Sequence, residues 1–107
     1  MGRRKRTEQT AHDRKVERLA REYKRKGWKV KADIPGYEKP PSIGKYGHIP
    51  DLEVTKRGKT KIIEVETPST LNSDKKQRET FKKSASHRRR TVFEMVIVRP
   101  RKKAKKR

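Results

Sequence analysis

Asp51, Glu64 and Glu66 are the residues of this 107-residue chain best suited by type and spacing to chemistry. In the stretch GHIPDLEVTKRGKTKIIEVET, Asp51 follows Pro50 at the start of one β-prone segment, and Glu64 and Glu66 alternate near the end of the next. The turn KRGK at 56–59 fits a hairpin, with Gly58 able to take positive φ. Strand side chains alternate, so Asp51 and Glu53 share a face opposite Leu52 and Val54, while Ile62, Glu64 and Glu66 share a face opposite Ile63 and Val65. Antiparallel pairing then brings Asp51 near Glu64 and Glu66 at the open end. Oxygen ligands of this kind suit Mg²⁺ or Mn²⁺. Such an ion can supply a hydroxide nucleophile and stabilise charge on a phosphoryl oxygen.

Those acids stand in a very basic chain. The formal net charge is +21, from 34 basic and 13 acidic side chains. The run Arg3, Arg4, Lys5, Arg6 and the seven basic residues after Val98 carry about half of that excess, so the part between is basic as well. A field of this sign attracts polyanions, and a phosphate backbone is the usual partner. No helical stretch pairs a basic face with a large apolar one, which argues against a membrane surface. Without cysteine there is no thiol nucleophile, zinc knuckle or disulfide framework. No apolar run reaches the length of a spanning helix or a signal-peptide core, so a cytoplasmic, nucleoid-associated location is expected.

Hydrophobic residues make up only 27% of the chain, but they cluster in residues 16–30, 49–65 and 92–98. This predicts a single folded domain over 10–98, a basic arm over 1–9 and a basic tail over 99–107. A first helix from about Thr10 has Val16, Leu19, Ala20 and Tyr23 on one stripe and stops at Gly27. Trp28, Val30 and Ala32 alternate with polar residues as a half-buried strand. A loop rich in proline and glycine, 34–47, leads to the hairpin. Asp74 and Gln77 have capping-box spacing at the start of a second helix, which carries Gln77, Phe81 and Ala85 on one face. Thr91 to Val98 reads as a strand covered on both faces. The order is αβββαβ.

In these residues and this order the chain resembles the PD-(D/E)xK nuclease superfamily, closest to the small archaeal Holliday-junction-resolvase-like nucleases. Pro50-Asp51, a hairpin and Glu64-Val65-Glu66 carry the resemblance, with Glu17 in the first helix matching that subgroup's glutamate. The resemblance implies an α/β, restriction-endonuclease-like core with a mixed sheet flanked by helices. It also implies Asp51 and Glu64 as metal ligands, the Val65 carbonyl completing the site, and Glu17 as an accessory ligand. The superfamily's lysine is replaced here by Glu66, so Glu66 with Gln77, or with Lys75 or Lys76, is expected to orient the water.

The expectation is a Mg²⁺- or Mn²⁺-dependent endonuclease acting on duplex or branched DNA in preference to RNA, working as a homodimer. Arg88, Arg89 and Arg90 are expected on phosphates, as are Lys45 and His48 in the loop and Lys75 and Lys76 in the second helix. Tyr37 and Tyr46 are candidates for stacking on bases. The competing reading is a nuclease fold without chemistry, or a basic packaging or ribonucleoprotein component. On that reading Asp51 caps a turn, Glu17 pairs with neighbouring arginines, and Glu64 and Glu66 are salt-bridge partners for Lys59, Lys61 or the arginine run.

Overall fold

The computed structural model describes residues 6–99, so the first five residues of the expected arm and the tail beyond Arg99 lie outside the described residues. Six elements follow in the expected order: α1 (Arg6–Arg25), β1 (Lys29–Ala32), β2 (Leu52–Lys56), β3 (Lys59–Glu66), α2 (Lys75–His87) and β4 (Thr91–Ile97). The sheet order is β1-β2-β3-β4, with β1–β2 and β2–β3 antiparallel and β3–β4 parallel. The fold is therefore α/β with a mixed sheet.

The period-2 pattern explains how the two helices share that sheet. Leu52, Val54, Ile63 and Val65 point to one face and pack with Ala32 against Val16 and Ala20 of α1. Ile62 points to the other face, where it meets Ile43, Phe81 and Ala85, with Phe93 at the margin. The hairpin turns at Arg57 and Gly58, both at positive φ (50° and 81°), the geometry that suits the right-handed strand twist. Lys56 lies opposite Lys59 across it.

Two expectations change. Helix α1 starts at Arg6, inside the segment read as an arm, because its buried line continues N-terminally through polar residues. Glu8, His12, Val16 and Ala20 are all buried at four-residue spacing. A hydrophobicity pattern registers only the last two. Strand β4 is not covered on both faces: it is an edge strand, with Val92, Met95 and Ile97 exposed. An apolar run records β-propensity without recording how much of the strand a neighbour covers.

Candidate metal centre

The acids meet where the β2–β3 ladder ends. Register pairing stops at Leu52 opposite Ile63, so the β3 residues beyond have lost their ladder partners on β2 while keeping those on β4. Asp51 replaces the lost ones. Its Oδ2 accepts from the Val65 N–H at 2.8 Å, and its own N–H donates to Glu64 Oε1 at 3.1 Å. On the other side of the carboxylate, His12 Nε2 lies 3.1 Å from Asp51 Oδ1, while His12 Nδ1 lies 2.9 Å from Asp13 Oδ1. The imidazole thus bridges the two carboxylates, one ring nitrogen to each.

Glu64 is 2% exposed, and α2 closes over it, with Gln77 Nε2 donating to Glu64 Oε2 at 2.5 Å. Burial, reinforced by the charge of Asp51, pushes the Glu64 carboxyl up to about 10. Glu66 is fully buried; it accepts from Thr70 Oγ1 at 2.7 Å and pairs with Arg78 Nη1 at 3.2 Å. Burial pushes its carboxyl up as well, against the opposing pull of Thr70 and Arg78.

One oxygen each from Glu64, Glu66 and Asp74 lies within 4.8 Å of the others. This all-oxygen donor set fits a hard divalent cation such as Mg²⁺ or Mn²⁺. Asp74 was legible in the sequence only as a helix cap. The structure gives it no side-chain capping bond, and its carboxylate turns toward the glutamates instead.

The set differs from the one the resemblance implies. Glu64 belongs to both. Asp51 contacts Glu64 from the side, engaged by Val65 and His12. Glu17 is not brought to the cluster: its side chain is exposed, 4.0 Å from Arg21 one turn on. The helix α1 residue at the acids is His12, whose place on the buried line of Val16 and Ala20 was the one available signal. Arg78 had no signal at all. It is the cation that meets Glu66, whereas Lys75 and Lys76 are exposed.

The basic residues spread further than expected. β4 runs parallel to β3 with Thr91 opposite Thr60, so Arg88, Arg89 and Arg90 sit at the far end of the sheet from Glu66. Six strand residues make that roughly 20 Å. Arg88 is committed to buried Glu53 at 3.7 Å. His48, by contrast, is near the acids, in a groove of about 810 Å³ also lined by Tyr46, Asp74, Lys76, Gln77 and Lys83. Lys45 Nζ stands 5.7 Å over the Tyr46 ring. No described helix is long and apolar enough to cross a membrane. Compared with protein-family models, curated proteins and solved structures, the chain matches none.

Proposed function

We propose that this protein is a divalent-cation-dependent nuclease acting on DNA, with Glu64 at the centre of its site. The observation that carries the proposal is the cost of Glu64 itself. A glutamine would accept from Asp51 with no proton to take up on folding, yet the chain keeps an ionisable carboxyl, pushed up to about 10, beside Asp51 and Glu66. Such crowding weakens a fold unless a proton or a cation relieves it, and perturbed groups of this kind concentrate at functional sites.

Glu64, Glu66 and Asp74 would hold Mg²⁺ or Mn²⁺, which when bound activates a water and stabilises charge on a phosphodiester oxygen. Gln77 fixes the rotamer of Glu64, Asp51 holds its other oxygen, and Arg78 balances the charge of Glu66. Lys76 and Lys83 border the groove that reaches Asp74 and Gln77, and they attract the phosphate backbone. The exposed edge of β4 offers a second copy a strand to pair with.

The competing reading, nucleic-acid binding without chemistry, draws on one observation: Asp51 and Glu66 are already paired, with His12 and Arg78. Cleavage of end-labelled duplex, single-stranded and four-way-junction DNA separates the two. Wild type is expected to cut with Mg²⁺ or Mn²⁺ and not with EDTA, and Asp51→Asn and Glu64→Gln are expected to lose that activity. Tight binding with no cutting of any substrate under either metal would leave the binding reading in its place.

A further inference from the structure

The loop that carries Tyr46 is built as a rigid mount. Ile43 and His48 form an isolated antiparallel bridge, with Ile43 N–H donating to the His48 carbonyl at 2.7 Å and the reverse bond at 3.1 Å. Gly47 N–H donates to the Gly44 carbonyl at 3.2 Å and closes the turn. Gly44, at φ +82°, lies so close to α2 that a Cβ there would come within 2.6 Å of Thr80 Cγ2. On the inner side, Ile43 joins the core and His48 sets its ring edge-on to Phe81 at 6.3 Å.

All this fixation serves one outward-facing ring. Tyr46 is 78% exposed, the most exposed of the large hydrophobic side chains among the described residues. Its neighbours within the loop are the His48 ring, tilted at 6.3 Å, and Lys45 Nζ over one face, and the rest of the ring faces outward. The ring borders the groove that runs past Lys76 and Lys83 to Asp74 and Gln77, and Gln77 donates to Glu64.

We propose that Tyr46 is a stacking platform for an unpaired nucleotide of the DNA strand lying in this groove. Bases inside a duplex already have both faces covered, so a free aromatic face is useful only to an unstacked base. Lys45, whose Nζ stands over one face of the ring and leaves the other for the base, meets the phosphates of that nucleotide together with Lys76 and Lys83 along the groove. The substrate class is therefore DNA with a single-stranded or extrahelical element. The inference rests on the nuclease reading for the direction of the groove, but its test does not depend on cleavage.

Binding is measured in EDTA by fluorescence anisotropy, with a perfect duplex and with the same duplex carrying one bulged nucleotide. Tyr46 is 78% exposed and belongs to neither core cluster, so Tyr46→Ala is expected to fold as wild type. It should bind the bulged duplex on the order of tenfold or more weakly, the size expected for one base–aromatic stack, with perfect-duplex binding unchanged. Tyr46→Trp should restore bulge binding. 2-Aminopurine at the bulge should be quenched by wild type and by Tyr46→Trp, but not by Tyr46→Ala. Equal binding of both DNAs by wild type, or equal losses on both in Tyr46→Ala, would overturn the stacking role while leaving the nuclease reading intact. Failure to bind either DNA would overturn both.

Discussion

Glu64→Gln is expected to keep its stability at alkaline pH where the metal-free wild type loses it. The Glu64 carboxyl has an ordinary value of 4.5 and a folded value pushed up to about 10, by burial first and Asp51 second. Between those values the folded chain holds a proton that the unfolded chain has released. Its contribution to stability is full below about 4.5 and declines as pH rises toward 10. One proton corresponds to a slope of at most about 1.4 kcal/mol per pH unit. Urea unfolding in EDTA at pH 6, 7.5 and 9 should therefore give wild-type and Glu64→Gln stabilities that diverge with pH, the variant ahead at pH 9. Parallel curves would mean that Glu64 is no strained acid, and the case for a cation there would lose its support.

The second large effect falls on Arg78→Met, which is expected to cost about 3–5 kcal/mol near pH 8, the range for stranding one member of a buried ion pair. Arg78 pairs with fully buried Glu66 and also donates to the Leu71 carbonyl, so its loss strands a carboxylate and an acceptor together. Because burial already pushes the Glu66 carboxyl up, protonation relieves part of that cost as pH falls. The deficit should shrink toward pH 5, and adding Glu66→Gln should recover most of it at pH 8. Denaturant midpoints measure both. A loss under about 1 kcal/mol at every pH would show that the pair is solvated in solution, as exposed ion pairs are.

How far the sequence could be read depended on what each residue reports. The six elements were legible because apolar periods of 3.6 and 2 are physical consequences of burial, and Gly27 and Gly58 punctuate them at positive φ. Asp51 and Glu64 were legible through alternation on two strands joined by a tight turn. Gln77 was legible as inward-facing because it stands one turn before Phe81. His12 and Glu8 were not, since a polar residue on a buried helical line looks like an interruption of it. Asp74 was read through its commonest use, capping, which it does not perform here. Arg78 and the distance of Arg88–Arg90 from the acids depend on helix rotation and on the parallel β3–β4 register, which no local pattern encodes.

Cleavage can fail for want of the right DNA, whereas cation binding needs no substrate, so the direct test is Mn²⁺ titration followed by electron paramagnetic resonance. Wild type at pH 7.5 should take up one Mn²⁺ per chain, with release of protons as Glu64 ionises, competed by Mg²⁺ and absent in Glu64→Gln. No saturable site in the wild type, or equal binding by Glu64→Gln, would contradict the account and leave the buried acids as structural groups alone.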